Sequence, residues 1–337
     1  MNIIKYRNIF LGIGAITVLS AVALLTLVGL RMGIDFTGGA LTEVVYETLP
    51  EQSVIEVGIA EMELGAFSVR ITNDVDGRSG YMIRTRDLSE SERQQLTGIV
   101  TEAGDGAEVT RFSSIGPVIG SELAEKAKWA IGGIVVVIIL YIAIAFLRVG
   151  YPVKSWVYGG ITIVALIHDI LVPAAVMTIL GVLSGAEVDV LFVTALLAVL
   201  GYSVNDTIVV FDRVRENLHK YRKAHVVETK DITGVVQKET TYTLTKPFAE
   251  IVNTSLLQTV TRSINTSLTT VLALTALFIF GGVTTQVFAL VLIAGVIAGT
   301  FSSIFIASPL LVFYAEKMLG LDVNSAEETE EEKIVKA

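Results

Sequence analysis

Six long apolar stretches dominate this sequence. A helix needs about 20 mostly apolar residues to cross a hydrocarbon core of about 30 Å. Lipid offers no partners to backbone N–H and C=O groups, so such stretches fold as helices with internal hydrogen bonds. The sequence therefore predicts a membrane α-helical bundle of six transmembrane helices: Ile9–Leu30, Trp129–Leu147, Trp156–Val182, Val188–Phe211, Arg262–Phe280 and Val287–Tyr314.

The basic residues between these stretches predict the orientation of the bundle. Lys and Arg occur before the first stretch, after the second and after the fourth, whereas the short loops 183–187 and 281–286 contain neither. Short loops rich in Lys and Arg stay in the cytoplasm. Both termini are therefore expected to be cytoplasmic. The first apolar run continues past a small-residue pattern at 21–23, which favours an uncleaved anchor over a signal peptide.

The same reasoning divides the chain into six parts. They are an N-terminus with the first span (1–30), an extracytoplasmic domain (31–126), spans two to four (127–212), a cytoplasmic loop with an insertion (213–250), spans five and six (251–318) and an acidic cytoplasmic tail (319–337).

Composition excludes several classes of function. The chain has no cysteine and only three histidines, so a zinc site or thiol chemistry is not expected. It contains no P-loop and no nucleophile elbow, which argues against an enzyme that hydrolyses ATP or esters. A net charge of −9 argues against nucleic-acid binding.

The external segment shows an alternating pattern of elements. Strands are predicted at Ala40–Tyr46, Phe67–Ile71, Tyr81–Arg84 and Glu108–Ser113, and helices at Glu51–Leu64 and from Ser89 to about Thr101. Ser89 and Glu92 have the spacing of a capping box. The order β-α-β-β-α-β predicts an α+β domain of the ferredoxin-like type.

Two of the apolar stretches, the fourth and the fifth, each carry an ionisable residue at a position where a charge is costly. Asp206 lies in the fourth stretch and Arg262 begins the fifth. At about 1.5 Å per residue, both lie about 27 Å from the outer ends of their helices, a depth that would allow an ion pair. A charge at membrane depth indicates a functional site. The alternative for Arg262 is that it only reaches toward the membrane surface.

Polar neighbours extend this candidate site. Tyr202, Ser203 and Asn205 accompany Asp206 and could bind water that relays protons. A second carboxylate, Asp169, follows His168 in the third stretch. The pair is either part of a relay or a structural hydrogen-bonded pair.

Two glycine-containing patterns have structural interpretations. Asp35, Phe36, Thr37, Gly38 and Gly39 follow the first span, and adjacent glycines indicate a turn or a binding loop. In the last span, small residues recur every four positions, which favours close packing within the bundle or against a partner: Gly295, Gly299, Ser303 and Ala307.

Five motifs occur together in this chain: Asp35–Gly39, Gly116–Gly120, Gly201–Arg213, Gln258-Thr259 with Arg262 and Thr266-Ser267, and Ser302–Pro309. As a set they resemble the signatures of the SecD/SecF protein-export family, and the resemblance covers nearly the whole chain. The SecD branch carries a larger external region, so the SecF branch is the better match.

The resemblance implies a fold and a function. It implies half of a transporter of the resistance-nodulation-division type, with a SecD partner supplying the other half. The implied function is proton-motive-force-driven completion of preprotein translocation across the bacterial cytoplasmic membrane, without a cofactor. Asp206 and Arg262 match the residues that the family uses. The Sec channel with its accessory subunits and an unfolded preprotein on the outer side are the other implied partners.

One segment departs from the family pattern. Residues 223–246 form a polar, Thr-rich insertion in which Val235, Tyr242 and Leu244 could form a small hairpin. A solvated insertion is favoured over a new partner site. Two other functions stay open at this point: a non-conducting assembly subunit of the translocase, and an exporter of small molecules or lipids.

Overall fold

The computed structural model describes residues 2–73, 77–145, 152–230 and 236–324. Most of them are helical, in the order α1 (Arg7–Leu27), α2 (Ile34–Thr37), α3 (Gln52–Glu61), α4 (Glu90–Glu102), α5 (Pro117–Ala145), α6 (Ser155–Leu183), α7 (Val190–Tyr221), α8 (Phe248–Phe280), α9 (Val283–Ser302) and α10 (Ser308–Met318). A 3-10 turn, Ile4–Tyr6, precedes α1, and a π-helical segment, Ser303–Ala307, joins α9 to α10.

Five helical segments of the described chain are long and apolar enough to cross a membrane. They correspond to α1, α6, α7, α8 and the continuous α9–α10 segment. The second predicted span falls in α5, whose 29 residues end at Ala145, and residues 146–147 of that prediction lie outside the described residues. The chain is therefore a multi-pass membrane protein.

Helices α7 and α8 are longer than the apolar pattern predicted. Arg262 was expected to begin the fifth span, but α8 begins at Phe248, so Arg262 lies well inside the helix. Apolar windows detect only the part of a helix at lipid depth. Here the first turns of α8 bury Ile251 and Val252, which join the same core as Val214 and Leu218 in the last turns of α7.

Helices α6, α7 and α9 form the centre of the bundle. In the most apolar part of α7, 50% of the residues are buried, and in the α9–α10 segment 61%. The corresponding share is only 11% for α8 and for α1. Much of α8 therefore lies on the surface of this chain.

The external segment folds into a four-stranded antiparallel sheet with two helices. The strands are β1 (Gly39–Val45), β2 (Ser68–Asn73), β3 (Ser79–Thr85) and β4 (Glu108–Ile115), in the spatial order β2-β3-β1-β4. Alternate strand side chains pack against α3 and α4 around a core that includes Tyr46, Ile55 and Val100. The capping box at Ser89 and Glu92 opens α4 as expected.

A β-hairpin follows α7 directly. Its strands, β5 (Arg222–Lys230) and β6 (Val236–Leu244), are antiparallel, with Arg222 opposite Leu244. The hairpin is the structure expected for the insertion, although Val235, one of the residues expected in it, lies outside the described residues. At the base of the hairpin Leu244 is buried in the bundle core with Phe248. The acidic tail lies outside the described residues from 325 onward.

Candidate functional site

Asp206 lies near the middle of α7 and is held by two serine hydroxyls from different helices. Ser263 of α8 donates to Asp206 Oδ1, and Ser303, the first residue of the π-helical segment, donates to Asp206 Oδ2. Both serines are at most 2% exposed. The carboxylate is therefore surrounded by neutral donors at membrane depth.

The expected ion pair between Asp206 and Arg262 is absent. Within the described residues, no nitrogen of Arg262 lies within 4.0 Å of the Asp206 carboxylate. The two residues are level, as predicted, because Ser263 contacts Asp206. However, successive helix residues point about 100° apart. Ser263 faces α7, and Arg262 therefore points to the surface, where it is exposed.

Asp169 is the second carboxylate in the bundle, and it is fully buried at 0% exposure. His168 Nδ1 lies 2.8 Å from Asp169 Oδ1, and Ser302 Oγ donates to Oδ2 at 2.7 Å. Ser203 of α7 also donates to Oδ2. The predicted contact between His168 and Asp169 thus exists, and two serines from neighbouring helices complete it.

Further hydroxyls connect the site to Tyr202. Its phenol donates to Ser267 Oγ at 3.1 Å, and Ser267 Oγ lies 2.5 Å from Thr300 Oγ1. Asn205, in contrast, is exposed and makes none of these contacts. Of the predicted residues, the structure brings Tyr202, Ser203, Asp169 and Asp206 into one polar cluster and leaves Asn205 and Arg262 on the surface.

Sequence reasoning missed most of the serines and threonines that complete the cluster. On α8 a regular spacing would have shown them, since hydroxyl residues recur every four positions and all are buried: Ser255, Thr259, Ser263 and Ser267. In the last span the small-residue pattern was noticed but read only as packing. This face does pack closely against α7, because a Cβ on Gly299 would lie 3.0 Å from Ser203 Cβ. Ser303, which belongs to the same pattern, also donates a hydrogen bond to Asp206.

The motif Asp35–Gly39 forms a second site at the outer end of α7. Asp35 Oδ2 accepts a hydrogen bond of 2.9 Å from Val190 N–H, in the first turn of α7. Asp189 is the N-cap and accepts from Phe192 N–H at 2.8 Å. Burial raises the pKa of Asp189 above its usual value, and the Phe192 N–H bond opposes that rise.

The glycines of this motif allow a close contact with the start of α5. Gly38 has a φ of +74°, and a Cβ there would lie 2.8 Å from Pro117 Cα. A Cβ on Gly120 would lie 2.7 Å from Gly38 N. The motifs Asp35–Gly39 and Gly116–Gly120 therefore pack against each other where the external domain joins the bundle. Phe36 of this motif packs against the outer end of the core around Phe192.

Three arginines of the sheet fasten the external domain to the outer loops. Arg84 binds Glu187 at 2.8 Å and Thr37 Oγ1 at 2.6 Å. Arg70 donates to Gly185 O at 3.1 Å, and Arg111 donates to Thr284 Oγ1 at 2.5 Å. Between the sheet and the loops lies a cavity of 450 Å³, lined among others by Glu43, Asp189 and Phe288.

The central cluster has the chemistry of a proton-binding site. A carboxylate accepts hydrogen bonds when it is ionised and donates one when it is protonated, and a serine hydroxyl can serve either state. The described residues contain no group of His, Asp and Glu side chains placed to hold a metal ion.

Comparisons with known proteins agree on one family. The family model described as "Protein export membrane protein SecD/SecF, C-terminal" matches residues 95–233 and 231–317, two segments that overlap at residues 231–233. A protein translocase subunit SecF of Thermobaculum terrenum is 36% identical over 94% of this chain and 95% of its own length. The same subunit of Anaerolinea thermophila is 36% identical over 93% of this chain and 94% of its own.

Solved structures extend the similarity to the fold. The crystal structure of SecDF from Thermus thermophilus, a translocon-associated membrane protein, is similar with a TM-score of 0.75 and 29% identity over 94% of this chain. A structure of SecDF in a super-membrane-facing form has a TM-score of 0.61 and 27% identity over 95% of the chain. This chain spans 39% of each SecDF chain.

Proposed function

Because the chain belongs to the SecD/SecF protein-export family, as a SecF subunit of the protein translocase, we propose that it uses a proton gradient to complete preprotein translocation. The site for the proton is Asp206. The observation that carries this proposal is a carboxylate at membrane depth that is held by the hydroxyls of Ser263 and Ser303 instead of by a cation. A fixed cation would hold the charge of Asp206 in one state.

The proposed architecture has six spans and one external domain. α5 supplies the sixth span beside the five long apolar helices. The strand order β2-β3-β1-β4, with α3 and α4 on one face, supports a ferredoxin-like external domain. The whole is then half of a resistance-nodulation-division transporter. Both termini are cytoplasmic, and the membrane is the bacterial cytoplasmic membrane.

The surface of α8 supports SecD as the partner that supplies the other half. Polar residues form one exposed face along α8 at lipid depth: Gln258, Arg262, Asn265 and Thr269. Polar side chains inside a membrane face protein or water instead of lipid. A helix of SecD therefore covers this face, and Arg262 acts across that contact. The Sec channel, its accessory subunits and an unfolded preprotein on the outer side complete the set of partners.

The test compares Asp206→Asn with Asp212→Asn in membrane vesicles that contain SecD and the channel. Asp212 lies on the same helix but is exposed and pairs with Arg215 at 2.6 Å. Under an imposed pH gradient, Asp206→Asn is expected to abolish the stimulation of preprotein release, and Asp212→Asn to retain it. Wild-type stimulation by Asp206→Asn would refute proton coupling at this residue.

The same polar face of α8 favours one second candidate, a subunit that only assembles the translocase. That role needs the surface of α8 but not the charge of Asp206. Co-purification with SecD and the channel separates the two functions. An assembly subunit would lose export only when Asn265→Leu or a similar surface change disrupts the complex, whatever residue stands at 206.

A further inference from the structure

A fully buried carboxylate, Asp169, and a partly buried one, Asp206, lie on neighbouring helices and share one pair of adjacent serines. Ser302 donates to Asp169 of α6, and Ser303, the next residue, donates to Asp206 of α7. Adjacent residues of a helix point about 100° apart, so one turn of the last span reaches both carboxylates. Ser203 makes a second connection, because it donates to Asp169 and lies one turn before Asp206 on α7.

Each of the two serines has a second acceptor within reach. Ser302 Oγ lies 3.1 Å from Gly299 O, and Ser303 Oγ lies 3.1 Å from Thr300 O. A serine hydroxyl can therefore turn from the carboxylate to a backbone carbonyl. When a carboxylate takes up a proton, it becomes a donor, and the serine that has turned away can accept its O–H. Either protonation state thus leaves no buried polar group without a partner.

The backbone is irregular near the site both in α6 and in the span that carries the serine pair. Pro173 lies four residues after Asp169, and because proline has no N–H, the Asp169 carbonyl lacks its usual helical partner. The π-helical segment begins at Ser303 itself. Such segments are frequent at functional sites.

Few other titratable groups lie near Asp169. α9 and the π-helical segment carry none, and α1 carries only Arg7, which pairs with Glu316 at 2.5 Å. The remaining groups on the helices packed against α6 include Glu316 and Lys317 on α10 and, on α5, Glu122, Glu125, Lys126, Lys128 and Tyr141. The titratable groups that lie in the same polar cluster as Asp169 are His168, on its own helix, and Asp206 and Tyr202, on α7.

We propose that Asp169 is a second proton-binding site and that Asp169 and Asp206 hold one proton between them, with Ser302 and Ser303 adjusting to its position. The ligand is the proton alone. Asp206 takes up a proton from one side while Asp169 is ionised. The proton then passes from Asp206 to Asp169, which leaves Asp206 ionised, and Asp169 releases it when Asp206 takes up the next, so the pair keeps one proton and one negative charge. Two carboxylates joined through one pair of adjacent serines, in a medium of low dielectric constant, resist simultaneous ionisation. The inference rests on the proposed coupling function, which needs only Asp206.

The experiment titrates the two carboxyl groups in the purified complex with SecD, using infrared difference spectra of the protonated carboxyl C=O band. Asp169→Asn is expected to remove one titrating group and to shift the titration midpoint of the remaining one by about one pH unit or more. Ser302→Ala keeps both carboxyl groups and is expected to shift the same midpoints. Ser308→Ala is the control, since Ser308 is a buried serine of the same span whose hydroxyl donates only to Ser303 O.

Each outcome separates this inference from the proposed function. Unchanged spectra in both Asp169→Asn and Ser302→Ala overturn the shared proton, and so does full proton-driven export by Asp169→Asn when Asp206→Asn has none. Shifted midpoints together with normal export by Asp206→Asn would support the carboxyl pair and refute the coupling function. A poorly folded Asp169→Asn leaves the decision to Ser302→Ala, which changes one hydroxyl only.

Discussion

The external domain and the membrane bundle surround their carboxylates with different partners. In the external domain several carboxylates pair with arginines, as in Glu90 with Arg93 and Glu92 with Arg86. At the centre of the bundle, Asp169 and Asp206 are surrounded mainly by serine hydroxyls. A surface ion pair fixes a charge that water would stabilise anyway and contributes little stability, about 0–1 kcal/mol. Serine hydroxyls, in contrast, can hydrogen-bond either the ionised or the protonated carboxyl group, so the charge of Asp169 or Asp206 can change.

The largest effect is expected when the serine hydroxyls around Asp206 are removed. Changing Ser263 and Ser303 together to Ala deprives Asp206 of both donors. Each hydrogen bond to a charged group contributes about 1.5–3 kcal/mol, so proton-driven export is expected to fall by about tenfold or more. Export by inverted membrane vesicles measures this effect. Ser308→Ala is the control, and equal rates for both variants would mean that the hydroxyls do not hold the carboxylate.

A second test concerns the contact between the two regions. Gly38→Val places a branched side chain at a φ of +74°, against Pro117. Such backbone strain costs about 1–3 kcal/mol before the clash is counted. Reduced export and a lower melting temperature are expected with unchanged membrane topology. Gly65→Val is the matched control, because Gly65 has a φ of +79° but open space around it. Equal losses in both variants would assign the effect to φ alone.

Arg262 tests whether the bundle uses a cation across its partner contact. Arg262→Lys keeps the charge but loses the planar fork of donors. It is expected to lower proton-driven export by about tenfold, on the order of 1.4 kcal/mol for lost charge-assisted hydrogen bonds. The titration of Asp206 should stay nearly unchanged, because lysine keeps the positive charge at this position and no ion pair joins the two side chains. Wild-type export by the lysine variant would leave Arg262 as a surface anchor.

A smaller effect is expected at the capping box of the external domain. Hydrogen bonds from Arg86 and Ser89 lower the pKa of Glu92 from 4.5 to about 2. Because the folded-state pKa is depressed, the ionised Glu92 contributes to the stability of the folded state. That stabilisation is present above about pH 4.5 and is lost as the pH falls toward 2. The protection of the α4 amides against hydrogen exchange in the full chain, relative to their intrinsic rates at each pH, should therefore fall over that range in the wild type and not in Glu92→Gln. An unaltered pH dependence in the variant would contradict this assignment.

The smallest effect is expected for the hairpin. Arg222 and Leu244 face each other across its base, so a short Gly/Ser linker can replace residues 224–243. Leu244 must stay, because it is buried in the bundle core. Export and co-purification with SecD should match the wild type. Loss of either would identify the hairpin as a docking element.

Sequence patterns located the elements better than the contacts between them. Alternating apolar residues and the Ser89–Glu92 spacing placed the strands and α4, because these signals are local. The apolar pattern covered only the part of α8 from Arg262 onward, because the first turns of this helix are polar in part and pack against α7. Equal depth predicted that Arg262 and Asp206 are level. Equal depth did not predict which side chain of α8 faces α7, since that depends on the rotation of α8 about its own axis. Ser263, instead of Arg262, occupies the position next to Asp206.

The contact between Asp35 and the first turn of α7 has a mechanical consequence. α7 runs for 32 residues without a proline or a break, a rod of about 48 Å. Its neighbours have less regular backbones at the depth of the carboxylates, with Pro173 in α6 and a π-helical turn in the last span. An axial shift of α7 at Asp206 would therefore be carried along this helix to its outer tip. There Asp35 accepts a hydrogen bond from Val190 N–H and Gly38 packs against Pro117 of α5, so the same shift would pull on the base of the external domain.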